Sequence, residues 1–275
     1  MIGSTLGNYR VDEKIGVGGM GEVYRATDLK LGRTVAIKTL TAVSAEAQRE
    51  ALARFLREAK AQSRLQHPSI VTIHQVGTAD EIRYIVMEFI EGKTLKKVVA
   101  GTPLSPSQVC EYGIQIAEGL AVAHEAGIIH RDMKSQNVMI TTRGQVKVLD
   151  FGLAKLKEAP GAAPAAPVDL GKTQMYGEEP ANAASADPAE FKTKVGVIMG
   201  TATNMSPEQC LGTEVDARSD MFSLGVVLYE MATGRMPFEA PIAAALLMQI
   251  LQKEPPLVRQ VAPAVPLELE QLIHL

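Results

Sequence analysis

Over its 275 residues the chain is 46% hydrophobic and 21% charged, with a formal net charge of -3. That is enough apolar content for one large core or two modest ones, and it excludes a largely disordered chain. Near-balanced charge gives no electrostatic case for a nucleic-acid partner or an anionic membrane surface. The only two cysteines, Cys110 and Cys210, suit a reducing compartment and argue against a disulfide framework. Each is expected to be a small buried hydrophobe without chemistry.

The opening MIGSTLGNYR lacks the basic start and apolar core of a signal peptide, and Ile2 stands where myristoylation needs glycine. The longest apolar run, Ala240 to Leu251, falls short of the roughly 20 residues that cross a bilayer. A soluble, cytoplasmic chain without membrane contact from this segment is the expectation.

From Tyr9 to Phe89 the pattern alternates as strands do, in YRVDEKIG, EVYRATD, TVAIKTL, VTIHQVG and IRYIVMEF. One long helix interrupts them: Ser44 is its candidate N-cap, Leu52, Phe55, Leu56 and Ala59 share a face, and His67-Pro68 ends it. After a turn at Glu91-Gly92 the period becomes helical. Ser105-Pro106-Ser107-Gln108 has the form of a capping box, Tyr112, Ile116, Leu120 and Ala123 recur on one side, and Gly127 is the predicted stop. Short strands around Val138 to Ile140 and Val146 to Leu149 flank the turn Thr142-Arg143-Gly144. DMFSLGVVLYEMATG is apolar nearly all round and predicts a helix buried inside the domain. Residues 158–190 are more than half Ala, Pro and Gly and read as a flexible loop, which inside a compact domain requires a functional reason. Sheet first and helices second is an α+β, two-lobed layout.

Three constellations carry chemistry. Gly16-Val17-Gly18-Gly19-Met20-Gly21 joins two alternating strands, so it forms a hairpin turn whose bare backbone can approach phosphate oxygens; a dinucleotide site would open a helix instead. In Val35-Ala36-Ile37-Lys38 a lysine follows that hairpin on an apolar strand. Such a lysine is most often only a solvated charge, but Glu58 on the long helix offers it a partner. In HRDMKSQN, residues 130–137, Asp132 is followed by Asn137 and later by Asp150 of Asp150-Phe151-Gly152. This set supplies a general base and two oxygen ligands for a hard cation.

The ordered motifs GVGGMGEV, VAIK, HRDMKSQN, DFG, SPE at 206–208 and SDMFSLG resemble those of protein kinases, of the bacterial type related to the eukaryotic serine/threonine kinases. The resemblance implies one kinase domain over 9–275. Its N-lobe of antiparallel sheet plus one long helix would cover 9–90, its mainly helical C-lobe 91–275, and its activation segment 150–208. It also implies an ATP-dependent kinase acting on Ser or Thr hydroxyls of protein substrates. Asp132 would be the base, Lys134 would face the γ-phosphate, and Asn137 and Asp150 would hold Mg²⁺, with Mn²⁺ as an alternative. Lys38, fixed by Glu58, would bind the α and β phosphates. Ile15, Gly16, Gly18, Gly21, Val23 and Ala36 would cover the nucleotide, the Glu88 carbonyl and Ile90 amide would bind adenine, and Met87 would guard the back of the pocket. Thr201 would pack near Lys134. Arg131, with Lys155, would receive a phosphate on the activation segment, where Thr193 is the first candidate site and Thr173 the second; a transient dimer would serve that autophosphorylation.

Three departures stand out: Asn204 where relatives usually carry tyrosine, Gln62 where they are usually apolar, and Glu208 without the late arginine expected to pair with it. The last suggests a chain truncated before the final helices, with a membrane tether conceivable in the missing part. A pseudokinase acting as a nucleotide-binding scaffold is the rival reading, and a dinucleotide-binding oxidoreductase a distant third.

Overall fold

The computed structural model describes residues 1–18, 21–39, 62–79, 82–151 and 203–275. Its first sheet contains β1 (Thr5–Leu6), β2 (Tyr9–Gly18), β3 (Gly21–Asp28), β4 (Arg33–Thr39), β5 (Ile73–Ala79) and β6 (Ile82–Glu88). They lie in the order β1-β2-β3-β4-β6-β5, and every neighbouring pair is antiparallel. Pairing of β2 with β3 runs down to Gly18 opposite Gly21. The glycine stretch therefore closes a hairpin, and the oxidoreductase reading, which needs it to open a helix, falls away.

Period-two alternation gives this sheet two different faces. Val11, Tyr24, Ala26, Val35, Ile37, Tyr84 and Val86 bury one of them in a common apolar cluster. Residues paired across strands share a face, and the register Gly16 to Val23, Val23 to Lys38 and Ala36 to Met87 puts all five on the other. The candidate nucleotide-facing side chains are thus gathered by strand register alone.

A second, three-stranded sheet contains β7 (Gly92–Thr94), β8 (Val138–Thr141) and β9 (Val146–Val148). The helices are α1 (Leu95–Val99), α2 (Pro106–Glu125), α3 (Pro207–Leu211), α4 (Ala217–Thr233), α5 (Ala243–Gln252), α6 (Val258–Val261) and α7 (Leu267–Ile273), of which α1 and α2 pack against this sheet. Ser105 caps α2 in a full capping box with Pro106 in its first turn. The stripe Val109, Tyr112, Ile116, Leu120 and Ala123 packs with Leu224, Val227 and Leu228 of α4 in the larger core. Gly127, at φ 73, takes the left-handed conformation that ends the segment. Most of α4 is buried, as its all-round apolar sequence predicts. No helix among the described residues is long and apolar enough to cross a membrane.

Two expectations need correction. Cys110 is exposed, because it falls beside Val109 and off the buried stripe of α2; Cys210 is half-buried, and burial pushes its thiol up to about 11. Where only a turn and then helix were predicted after Glu91, Gly92–Thr94 forms a strand against β8. Gly92-Lys93-Thr94 carries no apolar alternation, so its strand character comes from tertiary pairing. The predicted long helix beginning at Ser44, with Leu52, Phe55, Leu56 and Ala59, and the insert 158–190 lie outside the described residues.

A side-chain carbon at Gly92 would stand 2.2 Å from the Ile140 carbonyl oxygen, whereas one at Gly113 would meet the movable Cδ2 of Leu228 at 2.8 Å. Gly92→Ala is therefore expected to destabilise the fold by about 1–3 kcal/mol, and Gly113→Ala by less, in chemical denaturation.

Candidate active site

Helix α2 leads into the loop 128–137, which is held from beneath by α4. Asp220, in the first turn of α4, is 1% exposed. Its Oδ2 accepts the His130 amide at 2.7 Å and its Oδ1 the Arg131 amide at 2.8 Å, while His124 Nε2 reaches Oδ2 at 2.7 Å. The two amides hold Arg131 in the left-handed region at φ 65.

His130 is fully buried. Its Nδ1 accepts the Asp132 amide at 3.2 Å, so the ring proton is assigned to Nε2, which donates to the Leu149 carbonyl at 2.8 Å. The ring also packs against Phe151, with centroids 4.7 Å apart. Through these contacts His130 ties the loop to the residues on either side of Asp150.

The acids and amides predicted from sequence converge here. Lys134 Nζ spans both Asp132 carboxylate oxygens, at 2.9 and 2.7 Å. Asn137 Nδ2 donates to the Asp132 carbonyl at 2.8 Å and to its Oδ2 at 3.0 Å. The Asn137 carbonyl accepts the Leu149 amide at 2.8 Å, which brings Asp150 alongside. Asp150, at φ 58, receives Lys38 Nζ on Oδ2 at 2.7 Å, so an ion pair joins the first sheet to the segment that follows β9. The Lys38 side chain is 8% exposed, so little solvent competes for that contact.

Other predicted residues are distributed around this centre. Ile15 and Val17 are exposed on β2, Val23 is half-buried on β3, and Ala36 is buried on β4. Met87 and Glu88 end β6, and Ile90 follows before β7. The Glu88 carboxylate is itself engaged, accepting from the Thr72 amide at 2.7 Å and from Lys147 at 2.8 Å. Among the described residues the Arg131 guanidinium has no acidic partner. Glu58, Lys155, Thr173, Thr193 and Thr201 lie outside the described residues.

The three departures can now be located. Gln62 is 2% exposed and its Oε1 has no partner among the described residues. Asn204 is also buried; its Oδ1 accepts from the Thr203 hydroxyl at 3.2 Å and its backbone carbonyl from Ser223 Oγ at 2.8 Å, but Nδ2 has no partner among the described residues. Glu208, expected to be buried and unpaired, is only half-buried and accepts from the Ser219 hydroxyl. Burial raises its carboxyl pKa, and hydrogen bonds from Ser219, its own amide and Ser206 outweigh that and hold it below the usual range.

Residues 9–273 match the protein kinase domain family. The chain belongs to that family. Over 250 residues this kinase domain is 40% identical to a probable serine/threonine-protein kinase of Clostridium perfringens, covering 90% of this chain and 32% of that protein. PrkC of Bacillus subtilis is 37% identical over 275 residues, covering 99% of this chain and 38% of its own. A double mutant of the Mycobacterium tuberculosis PknI kinase domain shares the fold, with a TM-score of 0.66 at 23% identity over 96% of this chain and 85% of that one. The kinase domain here spans about a third of the length of the curated relatives it matches.

Sequence reading assigned no role to Asp220, His124 or Gln209. Asp220 left a trace, as the acid of the SDMFSLG motif in the first turn of a largely apolar helix. Gln209 caps α3 by accepting the Ser206 amide on Oε1 at 2.9 Å, and its Nε2 donates to the Arg131 carbonyl at 2.7 Å. Gln209→Glu keeps the cap acceptor but sets a carboxylate against that carbonyl. It is expected to cost about 1–3 kcal/mol by thermal or chemical denaturation, while Gln108→Glu in the capping box of α2 costs less.

Proposed function

We propose that this kinase domain transfers the γ-phosphate of Mg-ATP to Ser or Thr hydroxyls of protein substrates. The observation that carries the reading is the convergence of Asp132, Lys134, Asn137, Asp150 and Lys38 through contacts of 2.7–3.0 Å. Catalysis of phosphoryl transfer is mostly positioning and charge stabilisation, and this cluster offers both.

Asp132 is the proposed base. Asn137 fixes its orientation through Oδ2 and its backbone carbonyl, which leaves the carboxylate to accept the acceptor hydroxyl's proton. Lys134 contacts both carboxylate oxygens and is the ammonium nearest the base, suited to an incoming γ-phosphate. The names of the relatives and this lysine favour Ser and Thr acceptors.

The residues fit a divalent cation. Because Asn137 Nδ2 is committed to Asp132, its Oδ1 is the atom left to ligate, and the Asp150 carboxylate supplies the second oxygen. Among the described residues no group of three or more His, Cys, Asp or Glu could cage an ion. Two oxygens from the chain, with the rest from phosphate and water, suit Mg²⁺, and Mn²⁺ is the alternative. The bound cation would neutralise charge on the β and γ phosphates. Lys38 would bind the α and β phosphates, the Glu88 carbonyl and Ile90 amide the adenine edge, and Ile15, Gly16, Gly18, Gly21, Val23 and Ala36 the nucleotide's upper side, with Met87 behind it.

The proposed domain covers 9–275 in two lobes divided near residue 90, with an activation segment from 150 to 208. An Arg131 guanidinium with no acidic partner among the described residues supports a phosphate receiver on the activation segment. We assign that phosphate to Thr193, then Thr173, with Glu58, Lys155 and Thr201 in the supporting roles the family resemblance gives them. A transient dimer would deliver it in trans, and a cytoplasmic location would supply ATP.

Asp132→Asn is expected to lower phosphotransfer from labelled ATP to a basic protein by about 10²–10⁴-fold, with Lys38→Met comparable. Chelation of divalent cation should abolish it. Activity that survives both substitutions overturns the assigned roles, and a wild type that binds Mg-ATP without transfer supports the pseudokinase. Phosphopeptide mapping after incubation with Mg-ATP is expected to find Thr193 modified, and its absence together with that of Thr173 removes the proposed switch.

A further inference from the structure

The end of β6 and the end of β9 are joined by an ion pair that none of the proposed chemical roles uses. Lys147 Nζ, on β9, lies 2.8 Å from Glu88 Oε1, on the last residue of β6. The two side chains are 14% and 25% exposed, so solvent and salt screen the pair less than an open surface pair. The same Glu88 oxygen accepts the Thr72 amide at 2.7 Å, and the Glu88 amide donates to the Thr72 carbonyl at 3.0 Å.

Residues 69–72 complete the connection. The Val148 amide donates to the Ser69 carbonyl at 2.7 Å and the Val71 amide to the Val148 carbonyl at 2.9 Å. This short segment is therefore bonded to β9 at one end and to Glu88 at the other. Two residues beyond Val148 is Asp150, tied to Lys38; two residues beyond Glu88 is Ile90, the adenine-facing amide.

We propose that Lys147 and Glu88 form a positioning clasp that sets the reach between the adenine-binding segment and the Asp150 end of β9. The inference rests on the nucleotide-site reading above. A nucleotide spans both anchors: its base meets residues 88–90, and its phosphates meet Lys38 and the cation held by Asp150. Affinity for a two-point ligand depends on the anchors standing at the right separation, through the effective concentration of the second contact once the first has formed. Loosening the clasp leaves each anchor intact and penalises only a ligand that needs both.

Lys147→Met and Glu88→Gln separate these effects, since glutamine keeps an acceptor for the Thr72 amide while losing the charge. Binding of adenosine and of the β,γ-imido analogue of ATP with Mg²⁺ is measured by calorimetry on the full chain. Each substitution is expected to weaken the triphosphate about tenfold, and Lys147→Met, which lies outside the adenine-binding segment, to weaken adenosine by less than about twofold. The double variant should be no weaker than either single one, and Lys147→Arg should recover most of the loss. Amide exchange at Val71, Thr72 and Val148 should quicken in Lys147→Met.

Equal losses for adenosine and the triphosphate analogue, or a double variant as weak as the product of the singles, overturn the clasp. A wild-type chain that binds neither ligand overturns the nucleotide-site reading instead. Amide exchange then decides the clasp alone, and unchanged protection in Lys147→Met refutes it.

Discussion

One buried carboxylate fixes the loop on which the proposed chemistry depends. Asp220 accepts the amides of His130 and Arg131, the two residues directly before Asp132. A non-glycine residue in the left-handed region costs about 1–2 kcal/mol, and Arg131 is held there at φ 65. Hydrogen bonds to a charged acceptor contribute about 1.5–3 kcal/mol each, so two of them outweigh that strain. The acid's own burial is eased by His124 and by the positive end of α4, in whose first turn it lies. A fully buried acid beside the proposed active site invites a catalytic assignment, but the contacts of Asp220 go to two loop amides and to His124, and none to a reacting position.

With the loop fixed, the charges inside the site are matched one to one. Lys134 neutralises Asp132, and Lys38 neutralises Asp150. Removing either lysine would leave a sheltered carboxylate unpaired, which is costly in a region of lowered dielectric. The proposed ligands carry the complementary charges: a cation for Asp150, phosphates for the lysines. Ligand binding then exchanges one set of ion pairs for another and leaves no bare charge at either stage. The Lys38 to Asp150 contact has a second consequence, since it spans the first sheet and the end of β9 and so would couple their separation to the occupancy of the proposed site.

Much of this was legible in the amino-acid order. Strands β2 to β6 follow from period-two alternation, and strand register then gathers Gly16, Val23, Ala36, Lys38 and Met87 on one face without further information. Asp132, Asn137 and Asp150 could be named because they stand in order within the HRDMKSQN and Asp150-Phe151-Gly152 motifs, a set that resembles the one in protein kinases. What escaped depends on tertiary partners. β7 has no pattern of its own and exists through pairing with β8. Cys110 is exposed because one residue's rotation about α2 decides which side of the stripe it falls on. Glu208 was expected to lack a partner because an arginine was sought, and a serine hydroxyl one helix away serves instead. Lys147 and Glu88 are far apart in sequence and carry no local sign of their pairing.

The limit of sequence reading is clearest where one signature occurs twice. Ser105-Pro106-Ser107-Gln108 and Ser206-Pro207-Glu208-Gln209 share the same pattern, and both form full capping boxes with proline in the first turn. At α2 the glutamine is exposed and serves the helix end alone. At α3 the same residue type also donates to the Arg131 carbonyl, on the peptide unit just before Asp132. Only an amide does both tasks, since its oxygen accepts from the cap and its nitrogen donates to the loop. The segment that leads into α3 is thereby joined to the loop 128–137 by a side chain whose local role is already complete. Ser223, which bonds the Asn204 carbonyl, and Ser219, which bonds Glu208, anchor that segment to α4 as well. The same helix, through Asp220, holds the loop 128–137, so α4 is the common base against which both the proposed base and the segment from Asn204 to Gln209 are registered.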